Sequence, residues 1–186
     1  MKFSVIVADP PWSFSDKLKM SDVARGAEAN YKTMLTMDIA RLPVESWCAA
    51  DTILALWVPS SLLEDGLLVM GMWGFQQKQI WSWLKTTKDG EKLAFGMGYH
   101  FRGCTEHALI GTRGKPKALN RSQRNAVCLP SMVHSQKPEA LQDALELMYS
   151  GPYLELFARR IRPGWTCVGN ECPSTPGQDI REWSPR

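Results

Sequence analysis

Little in this sequence commits it to a membrane, a metal or a disulfide scaffold. No apolar run approaches the length that spans a bilayer. The short apolar stretch from Phe3 to Ala8 follows a single lysine and stops at Asp9, which does not make a secretory signal. Cysteine is sparse and unpaired: Cys48, Cys104, Cys128, Cys167 and Cys172 are five in number, with no C-x-x-C spacing, and the three histidines share no ligand-like spacing with them. Free thiols, a cytoplasmic location and no bound metal are the expectation. Charge of one sign is also in short supply. A net +3 permits an anionic partner but falls short of a dedicated nucleic-acid-binding module. Repeats and low-complexity tracts are absent.

What is present is an ordinary globular composition, 44% apolar and 22% charged over 186 residues, enough for one domain (residues 1–186) with a real core. Phe3 to Ala8 reads as a buried parallel strand. Asp51 to Val58 reads as another buried strand, and Gln76 to Lys85, Glu106 to Arg113, Tyr153 to Phe157 and Trp165 to Val168 as further strands. Helices are expected over Thr36 to Trp47, broken at Pro43, over Leu62 to Met72 with Ser60 or Ser61 as N-cap, and over Pro138 to Tyr149. Residues 13–31 are polar and aperiodic, a mobile loop beside the site. Lys115 to Arg124 holds four basic residues and no acid, a surface loop. The tail, 171–186, is loop or lid. Strands alternating with helices specify an open, mostly parallel α/β sheet with helices on both faces, whose ligands bind beyond the carboxyl ends of the strands.

One stretch at such an end, "VIVADPPWSF", carries chemistry. Asp9 is an acceptor-only carboxylate, and Pro10 and Pro11 have fixed φ and no backbone donor, so their carbonyls are held rigidly. Trp12 supplies a flat face, worth roughly 1–3 kcal/mol per stacked base. A planar ring bearing an NH₂ group, such as adenine, is the natural guest. Two acceptors that draw its hydrogens out of plane would localise the nitrogen lone pair and aim it at an electrophile. The bland alternative is a strand-ending turn with a chance Trp. For Trp57, Trp73, Trp81 and Trp83 core filling is the preferred reading.

At these residues the chain resembles the MT-A70 family of S-adenosylmethionine-dependent N6-adenine methyltransferases. Beyond "DPPW", the stretch "NYKTMLTMDI" resembles the family's "HYPTM" segment, and "LALWVPSSLLEDGLLVMGMWGF" its "LFLWVT" strand and helix. "GMGYHFRGCTEHALIGTRGKP", "HSQKPEA" and "ELFARRIRPGWTCVGNE" are similar to further family segments in the same order. The resemblance implies a Rossmann-like methyltransferase fold, S-adenosylmethionine as cofactor and nucleic acid as substrate, DNA favoured over RNA. It leaves open a homodimer, and also a catalytically silent subunit, although silent members tend to lose the acid or aromatic that this chain keeps. A phosphate-binding NTPase, hinted at by "GTRGKPK", fails the P-loop spacing.

The resemblance also implies roles. Asp9, Pro10, Pro11 and Trp12 would be catalytic. Ala8, Asp9, Lys137, Glu155, Phe157, Arg159, Asn170 and Glu171 would hold the cofactor, Lys137 beside its carboxylate at a helix start and Asn170 and Glu171 at its ribose. Trp12, Tyr31, Arg102, Arg113 and Lys115 would meet the substrate, the cations through phosphates. For any one of these cations, and for Lys137 taken alone, a solvated surface charge is the plain alternative. Arg162 stands where many members carry Asn. Longer members carry a "C-D-[IV]-R" stretch before "DPPW", for which eight residues leave no room. "QDIREW" near the other end is expected to supply that pocket through Asp179 and Ile180, as in a circular permutation, or else to be a frayed tail.

Overall fold

The computed structural model describes residues 1–14, 33–98, 100–132 and 136–185. Most of the loop expected at 13–31, including Tyr31, lies outside the described residues. Its two ends are tied together: Met34 N–H donates to the Pro11 carbonyl (2.7 Å) and Ser13 N–H to the Met34 carbonyl (3.1 Å).

Seven strands form one sheet: β1 (Phe3–Ala8), β2 (Cys48–Val58), β3 (Gln76–Thr86), β4 (Thr105–Arg113), β5 (Ala126–Pro130), β6 (Tyr153–Leu156) and β7 (Trp165–Val168). Their spatial order is β5-β3-β4-β2-β1-β6-β7. The pairs β1–β2, β1–β6, β6–β7 and β3–β5 are parallel; β4 runs antiparallel to both β2 and β3. The sheet is therefore mostly parallel and Rossmann-like, with one reversed strand inside it.

Alternation along the strands divides the core in two. Ile6, Leu54 and Leu56 face α1 (Thr36–Ala40), α2 (Val44–Trp47) and α3 (Leu63–Met72) through Ile39, Val44, Val69 and Met70. Val5, Val7, Ile53 and Ala55 face α4 (Ala140–Met148) through Leu141 and Leu145. The break expected at Pro43 separates α1 from α2. The expected N-cap at Ser60 or Ser61 does not form: Ser60–Leu62 is a 3₁₀ turn entered from Pro59, and neither that turn nor α3 has a side-chain cap. A single turn takes up the backbone groups that a capping hydroxyl would have met.

All five cysteines are free. Among the described residues no helix is long and apolar enough to cross a membrane, and no group of three His, Cys, Asp or Glu side chains could hold a metal ion.

Candidate active site

The carboxyl end of β1 delivers Asp9 to the rim, where its backbone N–H donates to the Leu156 carbonyl at the end of β6 (3.3 Å). The next residues make a tight corner. Trp12 N–H donates to the Pro10 carbonyl (2.9 Å), and the Pro11 carbonyl takes the Met34 bond. Both proline carbonyls thus have a backbone partner, and each keeps a second lone pair. Trp12 departs further from expectation. Its indole is only 4% exposed and packs in the core, with Nε1 donating to the Trp57 carbonyl at 2.9 Å. The indole is a fixed wall and not a projecting platform, because a buried indole N–H needs an acceptor and the end of β2 supplies one.

Asp9 stands between chambers. A cavity of about 290 Å³ on one side is lined by Asp9, Pro10, Trp12, Phe14, Trp57 and Lys137, with Glu106 and Ser60 at its edge. On the other side a small recess of about 80 Å³ is bounded by Asp9, Pro11, Phe157, Arg159, Asn170 and Glu171. Pro11, Phe157, Asn170 and Glu171 continue into a larger cavity of about 690 Å³, closed by Gly177 to Arg181 of the tail.

Electrostatics join the chambers' shared edge. Lys137 Nζ lies 2.9 Å from Asp9 Oδ2 and 3.3 Å from Glu106 Oε2, with Trp57 beneath it (5.5 Å to the ring centroid). Glu106 also pairs with Lys85. Burial would lower the Lys137 ammonium, but Asp9 and Glu106 outweigh it and hold it above its ordinary value. Burial likewise would raise the Glu106 carboxyl, and Lys137 and Lys85 hold it down. Lys137 therefore lines the Asp9–Glu106 chamber and not the one containing Phe157.

Phe157 adopts φ +62°, a left-handed conformation that a residue of this kind pays roughly 1–3 kcal/mol to hold and that clusters at functional sites. The turn is enforced by close backbone approach. Ala158 N–H donates to the Val168 carbonyl (2.9 Å), and a Cβ on Gly169 would collide with the Ala158 carbonyl and lie 2.7 Å from its nitrogen.

The tail is ordered. Ile180 is buried, and Trp183 packs edge-on against Trp47 (4.9 Å) and near Phe3 (6.5 Å). Asp179 pairs with Arg181, which together with backbone hydrogen bonding holds its carboxyl down to about 2.

Other expected residues stand elsewhere. Ala8 is fully buried in the core. Glu155 lies under α4 near Gln142 and Arg160; burial pushes its carboxyl up, and its Oε2 has no hydrogen-bond partner among the described residues. Arg102 lies over the Phe95 ring (5.0 Å) in the β3–β4 loop. Arg113 and Lys115 are not brought to this rim. Arg113 pairs in register with Thr52 near the start of β2 and bonds Glu45 (2.6 Å), while Lys115 N–H bonds Asp51 (2.7 Å); both sit at the opposite end of the sheet because β4 is reversed. The same reversal brings Glu106, at the start of β4, into the site. Arg162 reaches no chamber: it clamps Glu139 (2.7 Å), Asp143 (2.6 Å) and Glu146 (2.8 Å).

Sequence reasoning missed Trp57, Phe14, Ser60 and the Lys137–Glu106–Lys85 network. Trp57 carried a usable signal, an aromatic ending a strand; Glu106 itself is near the rim in the family pattern, but its ion pairs with Lys137 and Lys85 are not legible there.

Known proteins are similar to this chain over most of its length. The chain is 29% identical over 91% of its length to the N(6)-adenosine-methyltransferase MT-A70-like protein of Drosophila melanogaster, and 30% identical over 91% to the human N(6)-adenine-specific methyltransferase METTL4. It spans only 27% and 37% of those two proteins. With the type II methyltransferase M.MunI of Mycoplasma sp it shares 28% identity over 92% of its own length and 78% of that enzyme. The model of the MT-A70 family matches residues 3–171, which contain β1 to β7, the Asp9 corner and Lys137, and the chain belongs to that family.

Proposed function

We propose that this protein transfers a methyl group from S-adenosylmethionine to the N6 amine of adenine in nucleic acid. The observation that carries the reading is the Asp9-Pro10-Pro11 corner standing between an aromatic chamber and a polar one. The relative whose length the chain most nearly spans, among those compared, bears the name of a type II methyltransferase, and DNA is the first substrate to test; a Cryphonectria parasitica relative 31% identical is named as an RNA methyltransferase.

The donor set of the larger chamber fits the cofactor. Phe157 and Ile180 offer apolar walls to a purine, Asn170 and Glu171 acceptors to ribose hydroxyls, and Asp179 an acceptor to an amine. Arg159 borders the small recess, suited to a carboxylate. When bound, the cofactor supplies a methyl carbon made electrophilic by its sulfonium.

Every other part is the chain's own work. An adenine inside a duplex cannot reach a chamber of this kind, so the base is taken unpaired or flipped. Trp12 and Trp57 wall the chamber and exclude water. Asp9 Oδ2 is committed to Lys137, so Oδ1 and the free lone pair of the Pro10 carbonyl receive the two amine hydrogens. With its hydrogens held, the nitrogen lone pair points out of the ring plane, and orientation supplies the main advantage. A methylated amine is acidic enough to lose its proton without a strong base. Lys137 acts by fixing the Asp9 carboxylate.

Incubation with tritium-labelled cofactor and DNA or RNA oligonucleotides, followed by nucleoside analysis, tests the reading. Label in N6-methyladenine is expected. Label on another atom, or none on either nucleic acid, contradicts it.

A further inference from the structure

The site described above uses the Lys137 ammonium; a separate set of residues fixes the backbone that carries it. Lys137 and the buried Pro138 lead into α4, whose cap position is Glu139. A cap side chain that accepts from the first turn is worth roughly 1 kcal/mol. Glu139 makes no such bond. Its two oxygens are turned to the β6–β7 connection instead, Oε1 lying 3.1 Å from Arg160 Nε and Oε2 2.7 Å from Arg162 Nη1. The start of α4 is therefore located by that connection and not by a cap of its own.

The two arginines lead in different directions. Arg162 continues along α4 to Asp143 and Glu146. Arg160 turns back toward the site, and its Nη1 donates to the Lys137 carbonyl (3.4 Å). Burial pushes the Glu155 carboxyl up beneath α4, and the Arg160 charge opposes that rise. At its other end, Arg160 belongs to the cofactor side. It follows Phe157 by three residues, and its carbonyl accepts the Cys172 thiol (3.4 Å), next to Glu171 of the small recess. One side chain thus joins the cofactor-side turn to the backbone of the lysine that faces the aromatic chamber. A lysine stem carries roughly 2 kcal/mol of rotamer entropy, so its ammonium keeps both Asp9 and Glu106 more readily where the backbone is held.

We propose that Arg160 is a positioning residue: from the cofactor side it fixes the Lys137 backbone, and with it the ammonium that orients Asp9. Its hold on Lys137 is independent of the reaction, while its effect on turnover rests on the proposed activity.

The test pairs a direct view of Lys137 with methyl transfer. With isotope-labelled lysine side chains, NMR follows the Lys137 signal against pH, assigned by its loss in Lys137→Met. Burial is outweighed by Asp9 and Glu106 in the wild type, so this signal should titrate above 10.5. In Arg160→Met it should titrate lower. Single-turnover transfer should slow about tenfold, with cofactor affinity by calorimetry retained within about threefold. Arg160→Lys keeps a cation near Glu139 and Glu155 but has no fork to reach the Lys137 carbonyl as well, and should behave like the Met variant. Arg162→Met removes ion pairs from the same helix without touching Lys137, and should leave both the titration and the transfer rate at wild-type values. An unmoved Lys137 signal in Arg160→Met, full rescue by Arg160→Lys, or an equal shift in Arg162→Met overturns the proposal. The last would reduce the effect to a general loosening of α4. A shifted Lys137 signal with no transfer by the wild type sinks the activity reading alone. Transfer by Arg160→Met at the wild-type rate sinks the positioning role alone.

Discussion

Two single residues carry more of the site than their size suggests. Gly169 lets the β7 end pass against Ala158, and that approach accompanies the left-handed turn at Phe157. Gly169→Ala should cost about 1–3 kcal/mol, read as a lower denaturant midpoint, and should weaken cofactor binding in calorimetry because Phe157 and Asn170 shift together. Trp12 makes a subtler case. Trp12→Phe keeps an aromatic wall but removes the bond from Nε1 to the Trp57 carbonyl. A loss of about 1 kcal/mol of stability, with reduced turnover and nearly unchanged cofactor affinity, is the expected outcome.

At the scale of elements, α4 is fastened to the β6–β7 connection by charge. The Arg162 side chain is 11% exposed and meets three acids of α4 or its start, one of which, Glu146, also accepts from Trp165 Nε1 (2.5 Å). Those acids are partly solvated, so Arg162→Met should cost about 1–3 kcal/mol and not the full penalty of a buried pair. The bond from Arg162 holds the Glu146 carboxyl below its ordinary 4.5. A carboxyl depressed on folding stabilises above its unfolded pKa and loses that effect as the pH falls, so the gap between wild type and variant should narrow in acid. Strand direction is where the sequence was least legible. Periodicity identified β4 but not its polarity, which depends on its neighbours, so Arg113 and Lys115 were expected at the rim and lie at the far end, while Glu106, which the family pattern places near the rim, lines the chamber. β5 escaped notice for another reason: Ala126–Pro130 is a short, half-exposed edge strand with no buried apolar run to mark it. The corner after β1 was readable because a buried run cannot continue through two prolines. The burial of Trp12 was not, since it depends on the Trp57 carbonyl from a distant strand.

For the molecule as a whole, the reversed β4 places a four-charge cluster, Lys85, Glu106, Lys137 and Asp9, where the two chambers meet. Glu106 is depressed below 4.5 and Lys137 raised above 10.5. The stabilisation from Glu106 is complete above 4.5 and fades as pH falls below it; that from Lys137 is complete below 10.5 and fades as pH rises beyond it. Glu106→Gln should cost about 2 kcal/mol across that window and progressively less in acid, measured as urea midpoints against pH. The most direct measurement concerns Asp9, the residue shared by both chambers. Single-turnover methyl transfer to adenine by Asp9→Asn, beside calorimetry of cofactor binding, separates its role in chemistry from one in folding. Transfer should fall at least about a hundredfold with the variant folded and cofactor affinity retained within severalfold. Transfer at the wild-type rate would contradict the assignment of Asp9 as the acceptor that orients the amine.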